Sequence, residues 1–229
     1  MSKISKPQSC LQCPYKWKHL NLLSDDDIRS IRQNCTIIRF KKGETVCKQG
    51  TDATHVLYLA KGMVKLYIEG EKNLILRLIK AGEYIDLQTL FGDNSYRYSV
   101  AAMDDTEVCM INSEHIRKLA EKNSAYLFEL TKVISDSGNY FYKKISDISS
   151  KHLRGRLADA LLYLADEIYE NKEFDLGMTR RELAEMSSMS MENAVRILSE
   201  LKADKIISVK GKRIKILQYD ILKKLSDIG

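Results

Sequence analysis

Between residues 36 and 111 the chain is cut into strand-length pieces by glycine turns, and this punctuation restricts the fold more than any other feature. The pieces are Thr36-Ile37-Ile38-Arg39-Phe40, His55-Val56-Leu57-Tyr58-Leu59, Met63-Val64-Lys65-Leu66-Tyr67-Ile68, Leu74-Ile75-Leu76-Arg77-Leu78, Tyr98-Ser99-Val100-Ala101-Ala102 and Glu107-Val108-Cys109-Met110-Ile111. They are rich in β-branched and aromatic residues, and Lys42-Gly43, Gln49-Gly50, Lys61-Gly62, Glu69-Gly70 and Ala81-Gly82 divide them. Short strands at this spacing predict an antiparallel sandwich or barrel.

The flanking segments have helical period. Ser24-Asp25-Asp26-Asp27, followed by Ile28 and Ile31, predicts a short helix over 24–33 with early carboxylates suited to its dipole. Asn112-Ser113-Glu114 caps another carrying Ile116 and Leu119. From Ser124 a longer pattern runs through Leu127, Leu130, Ile134, Phe141, Ile145 and Ile148 at steps of three, four and seven. A stripe of that length outruns what one small domain covers, so it predicts a coiled-coil-like dimer seam; the alternative is that it packs on its own sandwich. Ser149-Ser150 interrupts it, and Leu153, Leu157, Leu161, Leu164 and Ile168 mark a further helix. The expected organisation is α+β: a sheet domain over 1–123, a dimerisation helix over 124–148 and a C-terminal domain over 149–229.

Two hundred and twenty-nine residues with 44% apolar side chains suffice for two cores. No apolar run reaches the roughly 18 residues of a membrane span, and the polar stretch Met1 to Gln8 lacks a signal-peptide core, so a cytoplasmic protein without membrane contact is expected. Five cysteines, an odd number, fit free or metal-binding thiols in a reducing compartment better than a disulfide scaffold. The net charge of +6 permits a polyanionic partner, which only clustering would support.

That clustering is found near the C-terminus. Thr179-Arg180-Arg181-Glu182 is a capping box, Ser187-Ser188-Met189 a turn, and Ser190 the cap of a second helix whose buried stripe is Ala194, Ile197, Leu198 and Leu201. Two short helices so joined form a helix-turn-helix, whose second member can enter the major groove. Its opposite face carries Met191, Glu192, Asn193, Val195, Arg196 and Ser199. Glu192 and Arg196, one turn apart, suit a cytosine N4 donor and the guanine O6/N7 edge, and Val195 a thymine methyl; the plain alternative is a surface ion pair between them. Ile206 to Ile216 reads as a hairpin with a Lys210-Gly211-Lys212 tip, a wing offered to phosphate. Residues 176–229 hold eleven Lys/Arg against seven Asp/Glu.

Met178-Thr179-Arg180, Glu192, Arg196-Ile197-Leu198 and Ile207 to Lys212 together resemble the winged helix-turn-helix of the Crp/Fnr transcription regulators. Lys42-Gly43-Glu44, Lys61 to Lys65, Ala81-Gly82-Glu83 and Ala101-Ala102 resemble the family's cyclic-nucleotide-binding-type β-roll, a double-stranded β-helix. The resemblance implies a homodimer joined through the long helix, binding double-stranded DNA at an inverted repeat, sensing a signal in the β-roll and contacting RNA polymerase. Thr179, Arg180, Ser190, Met191, Glu192, Asn193, Val195, Arg196, Ser199, Lys210 and Lys212 are then the expected DNA contacts. Met191 and Val195 depart from the best-known members, which have arginine and serine there respectively, so no family operator transfers unchanged.

Other departures bear on the signal. Cyclic-AMP-binding members hold the ribose with a glycine-glutamate pair and the cyclic phosphate with Arg-Ser or Arg-Thr. Here Tyr84-Ile85-Asp86-Leu87-Gln88-Thr89 puts Leu87 at the carboxylate position, and Tyr98 follows Arg97, which argues against cyclic AMP in the usual pose. Cys10-x-x-Cys13 with Cys109 resembles three of the four cluster ligands of the family's oxygen sensor, with His19 where the remaining cysteine belongs. Such a set suits zinc or a [2Fe–2S] cluster; a thiol switch, or no cysteine chemistry, are the other readings. The effector is left unassigned. Scattered histidines and the lack of a catalytic constellation point away from an enzyme. The competing function is a dimeric small-molecule or redox-sensing module acting through protein contacts.

Overall fold

The computed structural model describes residues 4–5 and 18–228. It divides into two compact units, one comprising the chain up to Glu69 with Leu78–Tyr140, the other Gly70–Arg77 with Phe141–Gly229. The division falls inside the long helix, at 140/141, and assigns the tip of one hairpin to the second unit.

Strands β1 (Ile4–Ser5), β2 (Cys35–Phe40), β3 (Thr45–Cys47), β4 (His55–Lys61), β5 (Met63–Ile68), β6 (Leu74–Lys80), β7 (Tyr84–Asp86), β8 (Ser99–Ala102) and β9 (Thr106–Asn112), which belong to the first unit but for Leu74–Arg77 of β6, form two sheets. Their orders are β1-β2-β9-β4-β7 and β3-β8-β5-β6, the jelly-roll-like arrangement expected of the punctuated segment. β5 alternates buried Val64 and Leu66 with more open neighbours, whereas Val56 to Ala60 of β4 are buried on both faces. The second face of β4 is covered by α1 (Asp25–Gln33), α2 (Gln88–Phe91), α3 (Ser113–Lys122) and the start of α4 (Ser124–Ser150). Ile28, Ile31, Leu90, Ile116, Leu119, Tyr126 and Leu130 pack there with Val56, Tyr58 and Ile111. α1 begins on the expected cap, where Ser24 Oγ accepts from Asp27 N at 3.2 Å and the Asp27 carboxylate accepts from Ser24 in return. Gly62, between β4 and β5, has φ of +84°, and a Cβ there would collide with Asp104 Oδ1 and lie 2.7 Å from Thr106 Oγ1. That turn therefore requires glycine.

In the second unit α5 (Leu153–Tyr163) runs into a π-helical turn, Leu164–Ile168, closed by Tyr169 N donating to Leu164 O at 2.8 Å. There follow β10 (Glu173–Asp175), α6 (Arg180–Met186), α7 (Met191–Ala203), β11 (Ile207–Lys210), β12 (Arg213–Ile216) and α8 (Tyr219–Ile228). The sheet has the order β10-β12-β11, so the expected wing hairpin gains a third strand. Leu157, Leu161, Leu164, Leu183, Ile197, Leu201, Ile214 and Leu222 are among the wholly buried residues of this unit. The Tyr169 ring stacks on Phe174 with centroids 4.7 Å apart, and its hydroxyl accepts from Gly177 N at 2.9 Å, just before α6.

Candidate nucleic-acid interface

α6 opens on the predicted capping box: Thr179 Oγ1 accepts from Glu182 N at 3.1 Å, and Glu182 Oε2 accepts from Thr179 N at 2.8 Å. Leu183, Ala184 and Met186 hold this helix to the core. α7 is capped by Ser190, whose Oγ accepts from Asn193 N at 3.3 Å, and it buries Ala194, Ile197, Leu198 and Leu201 as its period requires. The side chains left outside are Met191 (48% exposed), Glu192, Val195 (43%), Arg196 and Ser199, with Asn193 half-buried. An open, partly apolar stripe on a well-anchored helix is the shape a major groove accepts.

Glu192 and Arg196 do not form the ion pair that the plain alternative expected. Arg196 Nη1 donates instead to Glu200 Oε1 at 2.5 Å, across the next turn. Glu192 is drawn back to the start of α7 by its own backbone N–H and by Ser190, which hold its carboxyl below the usual range. Both partners of the Arg196–Glu200 pair are substantially exposed, so the pair contributes at most about 1 kcal/mol and is readily exchanged for a base edge.

The wing is less basic than its composition. Arg213 donates to Asp175 at 3.2 and 3.4 Å, and Lys215 Nζ lies 2.9 Å from Glu173, both acids belonging to β10. β10 lies just upstream of the basic segment 176–229, and three residues are too few to display a period; the alternation Glu173-Phe174-Asp175 is the local signal. Lys210 and Lys212, exposed beside Gly211 (φ +60°), make no ion pair among the described residues. Half-buried Arg180 at the start of α6 donates from Nη2 to Gly211 O at 2.9 Å and so ties the first helix to the wing tip.

This arrangement matches known proteins along most of the chain. Residues 37–123 match the cyclic nucleotide-binding domain and residues 155–225 the Crp-like helix-turn-helix domain. The chain belongs to the Crp/Fnr family of transcriptional regulators. It is 27% identical over 197 residues to the cAMP-activated global transcriptional regulator CRP of Salmonella typhimurium, covering 83% of this chain and 94% of that one. The anaerobic regulatory protein of Bacillus subtilis is 25% identical over 197 residues, covering 82% of each. The structure of FixK2 from Bradyrhizobium japonicum superposes with a TM-score of 0.76 at 21% identity, over 83% of this chain and 96% of that one. As a Crp/Fnr regulator the chain is a DNA-binding protein of transcription control.

The stretch that resembles the ribose- and phosphate-holding segment of the cyclic-AMP-binding members has its polar and apolar side chains engaged within the protein. Asp86 is 1% exposed and accepts from Gln88 N at 3.0 Å and Thr89 Oγ1 at 2.7 Å. Leu87 is buried in the helix-covered core. Arg97 is exposed and paired with Asp93 on the same loop. Gln88 Nε2 donates to Ser137 Oγ of α4 at 2.7 Å.

Of the cysteine set, Cys10 and Cys13 lie outside the described residues, and His19 falls in the 3₁₀ turn Lys18–Leu22. Cys109 on β9 is hydrogen-bonded to Cys35 on the adjacent β2, a neighbour the sequence did not suggest. That bond and burial push the Cys109 thiol far above its ordinary value, which disfavours the thiolate needed for metal binding. Among the described residues no group of three or more His, Cys, Asp or Glu is placed to hold a metal ion.

The expected seam divides into two sets. Leu130 is wholly buried in its own chain's core, and Ile134 is packed against it. Leu127 (37% exposed) and Ile145 (65%) stay open, joined by Phe128 and Tyr142, which the heptad reading did not include; Phe141 and Ile148 are half-buried.

Proposed function

We propose that this Crp/Fnr regulator acts as a homodimer joined along α4, and that each protomer reads one half of an inverted-repeat operator. In each half-site Glu192 and Arg196 address one G·C pair, and Val195 meets a neighbouring thymine methyl, giving a TG-like step, with half-site centres about one DNA turn apart. Thr179, Arg180, Ser190 and Asn193 lie around the start of the two helices, Met191 and Ser199 complete the exposed face, and Lys210 and Lys212 meet phosphate. The observation that carries this reading is the α7 face itself, exposed, partly apolar and capped by Ser190, together with Lys210 and Lys212 at the wing tip, which make no ion pair among the described residues. Membership of the family supports contact with RNA polymerase and action in the cytoplasm as part of this reading; no helix among the described residues is long and apolar enough to cross a membrane.

Because Lys212 meets backbone rather than bases, Lys212→Ala should weaken binding to all sequences alike and lower the slope of log affinity against log salt by about 1. Anisotropy titrations of a selected operator and of random DNA at several salt concentrations measure this. A loss confined to the operator would move Lys212 into the base-reading set.

The effector is a ligand other than cyclic AMP in the family's usual pose, or the signal is not a nucleotide. With Leu87 in the core and Asp86 hydrogen-bonded to Gln88 and Thr89, neither position offers a free carboxylate to a ribose, and exposed Arg97 is already paired. Calorimetric titration of the full-length protein with cyclic AMP should give no binding heat, and operator affinity should be unchanged by the nucleotide. A micromolar dissociation constant would overturn this reading.

A further inference from the structure

Two cations carried by different helices end on the short segment that joins α6 to α7. Lys144 of α4 donates from Nζ to Met186 O at 2.7 Å, and Arg156 of α5 donates from Nη1 to Ser188 O at 3.0 Å. Met186 is the last residue of α6, where carbonyls lack intrahelical partners and the helix dipole favours a cation. Ser188, two residues on, has φ of +51°, a left-handed conformation that favours glycine. This turn sets the angle between α6 and the base-reading helix, and two of its backbone oxygens are held by side chains from α4 and α5.

Charges around Lys144 come from several elements. Lys143 and Asp147 are on α4, Lys151 follows in the link to α5, and Asp159 is on α5. Lys151 lies 2.8 Å from Asp147 and 3.2 Å from Asp159, Lys143 Nζ donates to Asp147 at 3.1 Å, and Ser226 of α8 donates to Asp159 at 3.0 Å. With both carboxylates engaged by Lys143 and Lys151, Lys144 takes the carbonyl.

We propose that Lys144 is a positioning residue for operator recognition: it clasps the α6–α7 turn to α4, so that operator affinity depends on its hydrogen bond although it touches no DNA. Arg156 supports the same turn from the second helix. Burial pulls the Lys144 ammonium down to about 8, against the neighbouring Asp159 and Asp147, so its charge is lost within an accessible pH range. Above that range the carbonyl receives a neutral amine and a weaker bond.

The test compares full-length wild type, Lys144→Arg and Lys144→Met on one operator obtained by site selection. Lys144→Met should bind about tenfold more weakly, as loss of a hydrogen bond from a charged donor implies. Its salt slope and base preference should be unchanged, and Lys144→Arg should recover most of the affinity. As pH rises from 7 to 9.5 wild-type affinity should fall relative to Lys144→Arg, which keeps its charge. The clasp is overturned by a Lys144→Met affinity within twofold of wild type, or by parallel pH profiles for wild type and Lys144→Arg. A salt slope lowered by about 1 would mean a direct phosphate contact, and equal losses in both variants with a lower melting temperature would mean packing alone. The inference rests on the DNA-binding reading, whose own failure would show instead as a wild type that selects no operator.

Discussion

Arg196→Ala is expected to cost about 1–3 kcal/mol of operator binding per half-site and to relax the preference at one G·C pair. Its guanidinium is exposed and bound across one helical turn to Glu200, so removing it leaves the α7 core residues Ala194, Ile197, Leu198 and Leu201 untouched. The melting temperature should therefore stay close to wild type while affinity falls. In a dimer both half-sites lose the contact, and for independent sites the two losses add. Site selection from random DNA reads the outcome directly: wild type should return a guanine at one fixed position in each half-site, and the variant should return several bases there. If the variant returned the same guanine with the same strength, the α7 face would not be reading it through Arg196.

Ile145→Glu should leave a folded monomer that no longer holds the operator. Ile145 is 65% exposed in the single chain, so a carboxylate there meets water and costs the monomer little. Against a twin helix, the same carboxylate would be buried without a partner, at a cost on the order of 3–5 kcal/mol for each such charge. Sedimentation velocity at micromolar concentration distinguishes the two states. Leu130→Glu is a different experiment, since Leu130 is wholly buried in its own core and a charge there attacks the fold itself. An Ile145→Glu protein that sediments as a dimer and binds as wild type would place the seam on another face.

The contrast between Leu130 and Ile145 shows where reading the chain stops. Both belong to one apolar stripe, and periodicity reports that a face is apolar without saying which partner covers it. The longer strands of the sheet domain were legible because five or more residues with turn signals at each end suffice to show a pattern; β3, β7 and β10, with three residues each, were not. Thr179, Glu182 and Ser190 were readable as caps because capping is a local exchange between residues three apart. Arg213 and Lys215 count towards the basic excess of residues 176–229, yet their neutralisers on β10 reach them through strand pairing, not through sequence proximity. The Cys35–Cys109 contact escaped for the same reason, being set by the register of β2 on β9. The exchange of Glu192 for Glu200 as the Arg196 partner is subtler: both acids are four residues away, and the helix N-terminus drew one of them off.

The π-helical turn at Leu164–Ile168 means that this helix carries one residue more than an ordinary α-turn would hold. Everything after it is rotated about the axis by roughly 100° relative to an uninterrupted helix. That rotation aims the Tyr169 hydroxyl at the amide of Gly177 and lays its ring on Phe174, ahead of the first DNA-binding helix. When this chain is aligned with relatives lacking the extra residue, the gap belongs inside the helix and not in the loop that follows.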